Sequence, residues 1–313
     1  MTETTKTVFE KYEVRKTKKQ KTAFIEYVKS VAENQGYPCT VETSRGGVRN
    51  IVVGSPEKAK VLYTAHYDTC PVLPFPNFIT PKNFLLYLVY QVVITVLFMI
   101  VPCAVLQYAA KMILTAVGID PFYSLWVFEI GLISILLLMM FGPANKHTAN
   151  DNTSGVTVLL NLMTDMPTDL REEVAFVFFD CEETGLVGSS AFAKKHKNAH
   201  QKPLLNFDCV SDGEYVLFAV KKGAKPYIAK LKEAFSDNEY CKAEILDKGV
   251  FYPSDQANFK QGIGVASLKR LKKSKLLYMD RIHTGKDNVY REENIEFLTQ
   301  NAIRFTEMMT SEI

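Results

Sequence analysis

The chain has 313 residues, enough for one large domain or two modest ones, so its length is compatible with an enzyme. Its 37 Lys and Arg residues nearly balance its 34 Asp and Glu residues, giving a net charge of +3. This balance gives no indication of an extended basic surface, and we therefore expect no nucleic-acid partner.

The beginning of the chain is polar and basic and contains no apolar core of a signal peptide. We interpret the basic run from Arg15 to Lys21 as the solvated start of a helix, with an additional contact to anionic lipid as the alternative. The six cysteines show no paired spacing, which favours reduced thiols and a reducing compartment.

Helix-like and strand-like runs alternate along the chain, which predicts an α/β fold. Thr153 and Ser154 can cap one helix, and Gly36 can end another. In chain order, the predicted elements are helix 17–34, strands 48–53 and 60–65, helix 154–165, strand 174–180, helix 187–196, strand 204–207, helix 226–236, strand 265–268 and helix 292–309.

Residues 83–145 differ sharply from the rest, since their only charged residues are Lys111, Asp120 and Glu129. Segments 84–108 and 122–141 are each long enough to cross a hydrocarbon core of about 30 Å. Both are apolar all round, which is unusual for a core helix. We predict a transmembrane hairpin, with Glu129 facing the partner helix or a cavity. A pair of buried helices or an apolar dimerisation arm is the alternative.

The hairpin interrupts a discontinuous catalytic domain formed by residues 1–82 and 146–313. Histidine and acidic residues stand at the ends of this domain's predicted elements, where loops can direct side chains into one crevice. Each alone has a simpler explanation as a solvated surface residue, a structural histidine or a helix cap. They are His66, Asp68, Asp151, Glu182, Glu183, Asp208 and His283.

A set of imidazoles and carboxylates without cysteine suits zinc better than magnesium or calcium. The number of ligands fits two ions, with His66 and Asp208 on one, Glu183 and His283 on the other, and Asp151 between them. A water bridging the ions would be acidified into a hydroxide-like nucleophile near neutral pH.

Two further carboxylates have predicted supporting roles. Glu182 is free to act as the general base, and we expect Asp68 to hydrogen-bond the imidazole of His66 and fix its tautomer. Asp287 could support His283 in the same way. The ligands alone also admit cobalt or manganese.

The sequence resembles metallopeptidase family twenty-eight, the co-catalytic zinc aminopeptidases related to bacterial leucyl aminopeptidase and glutamate carboxypeptidase. The resemblance rests on motifs across most of the polar part of the chain. They are 65–69 (Ala-His-Tyr-Asp-Thr), 151–155 (Asp-Asn-Thr-Ser-Gly), 182–189 (Glu-Glu-Thr-Gly-Leu-Val-Gly-Ser), 206–208 (Asn-Phe-Asp) and 282–287 (Ile-His-Thr-Gly-Lys-Asp).

The resemblance implies a three-layer αβα sandwich with a mostly parallel mixed sheet. It also implies His66, Asp151, Glu183, Asp208 and His283 as the ligands of two zinc ions. By the same resemblance, Glu182 is the catalytic base, and the activity is hydrolysis of N-terminal peptide bonds. Two features depart from the family pattern: Gln256 replaces the histidine that commonly follows Ser-Asp, and the apolar hairpin is inserted between His66 and Asp151.

We predict a membrane-anchored aminopeptidase with a peptide substrate, a lipid bilayer as partner and an undetermined oligomeric state. The alternatives are an amidase or N-acyl-amino-acid hydrolase acting on lipidic substrates, and a non-catalytic membrane receptor or scaffold. A glutaminyl-cyclase-like enzyme resembles the fold but uses a single zinc, which the full ligand set disfavours. Two membrane crossings and the basic residues near them place the catalytic domain in the cytoplasm.

Overall fold

A mixed sheet of nine strands organises the computed structural model, which describes residues 1–73 and 75–311. Its path runs β1-β2-β4-β3-β5-β8-β6-β7, with the short β9 paired to β8. Strands β4, β3, β5 and β8 form a parallel centre, and antiparallel pairs flank it. The strands are β1 (Cys39–Thr43), β2 (Arg49–Gly54), β3 (Val61–His66), β4 (Val174–Phe179), β5 (Leu204–Phe207), β6 (Tyr215–Val220), β7 (Lys242–Leu246), β8 (Gly262–Arg270) and β9 (Leu277–Tyr278).

Helices cover both faces of the sheet, because its central strands are apolar on both sides. In β4, Val174, Phe176 and Phe178 pack into one core, while Ala175, Val177 and Phe179 pack into another, as the two-residue period of a strand requires. Helices α1, α2, α6, α8 and α9 contribute to the first core, and α7 to the second. This arrangement confirms the predicted αβα fold. The helices are α1 (Glu3–Tyr12), α2 (Lys18–Asn34), α3 (Phe84–Thr95), α4 (Val101–Ala116), α5 (Ser124–Phe141), α6 (Gly155–Asp165), α7 (Val187–Lys195), α8 (Ile228–Ala234) and α9 (Glu292–Thr310).

The apolar insert forms two long helical rods. A π-helical turn, Val96–Ile100, joins α3 to α4, so the first rod runs through Phe84–Ala116, and the second runs through Pro121–Phe141. Within the most apolar 18 residues of each rod, only 11% of the first and 6% of the second are buried. Neither rod is therefore a core helix of the sandwich. Both are long and apolar enough to cross a membrane, and they are candidate spans.

The structure corrects two expectations about the hairpin. The first rod continues eight residues beyond the predicted end at 108, leaving a connection of only residues 117–120. Gly131 allows close approach, since a Cβ there would lie 3.1 Å from the Cys103 sulfur. Glu129 is exposed, so the expectation that it faces the partner helix or a cavity is wrong.

The N-terminal basic run is not simply solvated. Arg15 is fully buried, and its guanidinium donates to the carbonyl oxygens of Tyr67 and Tyr12, both at 2.6 Å. Lys21 forms an ion pair with Asp180. The prediction of a solvated run is therefore wrong for Arg15, because five donors on one planar group can satisfy several buried carbonyls that no local pattern reveals.

Candidate metal centre

The sheet brings the predicted site residues to one edge. Strands β4, β3 and β5 are parallel neighbours, so their carboxyl ends lie side by side. Two further residues come from loops, one before α6 and one after β9. The residues delivered in this way are His66 from β3, Glu182 and Glu183 after β4, Asp208 after β5, Asp151 before α6, and His283 after β9.

Asp151 lies between two groups of potential ligands. The imidazole nitrogen Nε2 of His66 lies 3.3 Å from Asp151 Oδ1 and 3.4 Å from Asp208 Oδ1. The Nε2 of His283 lies 2.9 Å from Asp151 Oδ2 and 3.5 Å from Glu183 Oε2. The two carboxylate oxygens of Asp151 therefore face different imidazoles, the arrangement expected of a carboxylate shared by two ions.

The ligand atoms within each group lie close enough to converge on one ion. In the group of His66, Asp151 and Asp208, these atoms all lie within 4.8 Å of one another. The same limit holds for the group around His283, which includes the sulfur of Cys70. Cys70 was not among the predicted ligands, because its only local signal is its position four residues after His66.

The segment carrying Asp151 is held by its own asparagines and by Asp287. The Asn152 amide donates to the carbonyl oxygens of Phe207, at 3.0 Å, and His66, at 3.3 Å, which joins the ends of β3 and β5. Both carboxylate oxygens of Asp287 accept main-chain N–H groups, from Asn150 and Asp151, each at 2.9 Å. Asp287 therefore positions Asp151, whereas the sequence suggested a role beside His283.

Asp68 also makes contacts different from the expected ones. His66 Nδ1 lies 3.1 Å from the main-chain oxygen of Asp68 and 3.7 Å from its carboxylate. The carboxylate instead accepts the main-chain N–H groups of Glu182, at 3.0 Å, and Glu183, at 3.3 Å. Asp68 thus positions the Glu-Glu pair as well as the imidazole.

Burial and the repulsion between neighbouring carboxylates favour the protonated forms of the two glutamates at this site. Burial raises the pKa of Glu183 to about 8 and the pKa of Glu182 well above its ordinary value. Burial acts to lower the pKa of the His283 imidazole, but the nearby carboxylates of Glu183 and Asp151 outweigh it. The net result is a pKa raised to about 10. Burial opposes ionisation of Asp151, yet hydrogen bonds from both imidazoles hold its pKa far below the ordinary range. Divalent cations could replace the protons that balance these carboxylates.

Glu182 lies beside the ligand groups without belonging to either. Its carboxylate, together with His66 and Glu183, forms a third group whose donor atoms lie within 4.8 Å of one another. A carboxylate in this position could accept a proton from a molecule held between the two ligand groups.

Asp255 is a second site residue that the sequence did not single out, although its Ser-Asp motif was recognised. Neither oxygen of this buried carboxylate makes a hydrogen bond of normal geometry to another described residue, and burial raises the pKa of Asp255 to about 7. The charges of His66, Asp208 and Glu182 act on it, which places it at the same edge of the sheet.

Three non-glycine residues at this edge have left-handed backbone conformations. They are Cys181, with φ 58°, Cys209, with φ 58°, and His283, with φ 61°. Such conformations are uncommon outside glycine and cluster at functional sites. Each adjoins or is a predicted ligand or base, so the backbone turns sharply where side chains enter the crevice.

Solved structures with this fold include enzymes of two kinds. A glutaminyl cyclase from Porphyromonas gingivalis has a TM-score of 0.60 at 16% identity, covering 98% of each chain. A leucine aminopeptidase precursor from Bacteroides thetaiotaomicron has a TM-score of 0.56 at 15% identity, covering 96% of this chain and 93% of the other. A Zn-dependent exopeptidase from Parabacteroides distasonis has a TM-score of 0.54 at 15% identity, covering 98% of each. At these identities, the likeness establishes the fold alone.

The fold and the converging ligands define an αβα domain with a candidate metal centre. The sequence model of peptidase family M28 matches residues 137–305, just over half of the chain. The chain therefore belongs to peptidase family M28. The matched segment contains Asp151, Glu182, Glu183, Asp208 and His283, while His66 lies before it. No curated protein sequence matches the chain significantly.

Proposed function

We propose that the protein is a membrane-anchored aminopeptidase that uses two zinc ions. The observation that carries this proposal is the position of Asp151, whose two oxygens face one imidazole each, 3.3 Å from His66 and 2.9 Å from His283. Membership of family M28 supports a hydrolase, and the aminopeptidase and zinc exopeptidase among the similar structures support the activity and the metal.

The donor atoms fit zinc. Imidazole nitrogens and carboxylate oxygens are usual zinc ligands, and each group supplies at least three of them. Glu183 gives a second indication of a cation at this site, because its side chain is only 7% exposed and its Oε1 makes no hydrogen bond among the described residues. A buried carboxylate oxygen without a partner is costly, and a cation would satisfy it. His66 and Asp208 would hold one ion, Glu183 and His283 the other, and Asp151 both.

Zinc in this position would polarise the scissile carbonyl and lower the pKa of a bound water. The protein's own groups supply the proton transfers. Glu182 takes the proton of the attacking water and gives it to the leaving amine, since its carboxylate lies beside both ligand groups. Asp68 keeps Glu182 in place through the hydrogen bond to its main-chain N–H.

A second candidate function is hydrolysis of N-acyl amino acids or other lipidic amides. An apolar cavity of about 370 Å³ lies between the two rods and the loop that follows Cys70. It could receive an acyl chain near the centre, because the main-chain N–H of Leu73, one of its lining residues, donates to the carbonyl oxygen of His283 at 2.8 Å. The lining residues are Val72, Leu73, Phe75, Phe98, Ile135, Leu138, Met139 and Pro143.

The deciding experiment uses the full chain purified in detergent with its metal content measured. Aminoacyl amides, N-acyl amino acids and a peptide with N-terminal glutamine are assayed in parallel. Release of the N-terminal residue supports the aminopeptidase. Selective cleavage of acyl amides supports the second candidate, and cyclisation of the glutamine without hydrolysis would overturn both.

The role of Glu182 has its own test. Glu182→Gln should retain the fold and the zinc but lose roughly 10²–10⁴-fold in kcat, because it removes the base and keeps the ligands. Glu172→Gln, on the exposed surface, is the matched control and should be active. Near-normal turnover in a zinc-loaded Glu182→Gln protein would exclude Glu182 as the base.

A further inference from the structure

We propose that the thiolate of Cys70 is an additional protein ligand to the ion held by Glu183 and His283. This inference rests on the two-metal centre of the proposed function and adds a residue that the family pattern does not supply. Cys70 Sγ, one carboxylate oxygen each of Asp151 and Glu183, and one nitrogen of His283 all lie within 4.8 Å of one another. Four donors at this spacing can surround a single ion.

The main chain at Cys70 and directly after it is held by hydrogen bonds to two other segments. Cys70 is fully buried, and its carbonyl oxygen accepts the main-chain N–H of Asn145 at 3.0 Å. Pro71 then forms a β-bridge with Ala144, and Leu73 donates to the carbonyl oxygen of His283 at 2.8 Å. The loop carrying Cys70 is therefore fastened directly to the loop carrying His283.

A second observation at the same place favours a bound cation. Glu183 Oε2 contacts His283 at 3.5 Å, while the buried Oε1 makes no hydrogen bond among the described residues. An ion within this group would satisfy that oxygen and would bind the thiol sulfur with release of its proton to solvent. No oxidant or reductant is required.

Coordination by sulfur would make the two ions unequal. Thiolate favours softer ions such as zinc. With Cys70 bound, the ion beside it would be held by four protein donors. The ion on His66 and Asp208 would have only three, including the shared Asp151. We expect the first ion to bind more tightly and the second to be removed first by a chelator.

The test is cobalt loading of the full chain in detergent. A thiolate bound to cobalt(II) gives a sulfur-to-metal charge-transfer absorption in the near ultraviolet that nitrogen and oxygen ligands do not give. We expect this absorption in the unsubstituted protein, its loss in Cys70→Ser, and its retention in Cys209→Ser and Cys241→Ser. Cys209 is the critical control, because its sulfur lies 3.2 Å from Asp208 Oδ1. Zinc affinity at the tighter site should fall at least about tenfold in Cys70→Ser.

Zinc X-ray absorption of the unsubstituted protein gives a second reading that does not depend on a variant folding. It should show a sulfur neighbour at about 2.3 Å. Absence of that sulfur, survival of the cobalt absorption in Cys70→Ser, or its loss in Cys209→Ser would overturn the proposal. Peptide hydrolysis with two ions but no sulfur signal would overturn only the role of Cys70. A Cys70 signal without hydrolysis of any amide would overturn only the aminopeptidase.

Discussion

Replacing Asp68 by Asn tests whether this residue positions the catalytic pair. The Asp68 carboxylate is only 5% exposed and accepts two main-chain N–H groups, from Glu182 and Glu183. Burial opposes its ionisation, but His66, Lys21 and the Glu182 N–H lower its pKa, so the group is an acceptor on both oxygens. Asparagine has the same shape but offers one oxygen and one NH₂ group, which cannot accept a hydrogen bond from an N–H.

The size of the effect follows from that one mismatch. Leaving a buried N–H without its acceptor costs about 1–3 kcal/mol. If that cost appears wholly as displacement of Glu182 in the transition state, it corresponds to a loss of roughly 5- to 150-fold in kcat. KM and zinc content should change less than kcat, because Asp68 is not itself a ligand in either group.

The assay measures kcat, KM and zinc per chain on the same preparation, with the exposed Asp165→Asn as the matched control. A fall in kcat alone supports the positioning role. A zinc-loaded, folded Asp68→Asn protein with kcat within about twofold of the original would refute this reasoning, as would a loss confined to zinc binding.

Two further changes test other parts of the centre, and a third tests the hairpin. Burial raises the pKa of Glu183 from 4.5 to about 8, so in the metal-free protein the stability that comes from binding this proton is complete below about pH 4.5 and is lost as pH rises through 8. The melting temperature of the metal-free protein should therefore fall between about pH 5 and 9. It should fall less in Glu183→Gln than in the control Glu172→Gln. A slope that is the same in both variants would contradict this assignment. Asp151→Ala should lower the occupancy of both ions together, as measured by metal analysis, and two retained ions would remove Asp151 from the shared position. If the αβα domain faces the cytoplasm as the sequence predicts, an impermeant thiol reagent on intact cells should label Ile119→Cys in the short connection but not Lys195→Cys. The reverse pattern would contradict that orientation.

The parallel centre of the sheet could be predicted because its strands are short, apolar and followed by polar residues. Leu204–Phe207 has the predicted bounds, and Val61–His66 differs by one residue at each end. The residues that follow such strands must share an edge, which is why the sequence alone groups the ligands. The hairpin was equally visible, since long apolar runs need no partner to be recognised.

Other features depend on contacts that local patterns do not encode. The edge strand Lys242–Leu246 was not predicted, because its residues are mostly half-exposed and carry no clear alternation. The strand Tyr215–Val220 was also not predicted, although its apolar residues would have supported it. Cys70 and Asp255 join the candidate centre through residues distant in the sequence, and Arg15 is buried where the carbonyl oxygen of Tyr67, just after β3, accepts its guanidinium.

The segment between Cys70 and the first rod attaches the hairpin to the catalytic domain at several points. Leu73 bonds to His283, Ile79 and Met279 exchange two main-chain hydrogen bonds, and Phe251 donates to the carbonyl oxygen of Pro81. These hydrogen bonds hold Leu73, Ile79 and Pro81 against the domain. With the rods in a bilayer, the centre would work at one constant height above the lipid surface. That height would then set how far the end of a substrate must project from the membrane to reach the centre.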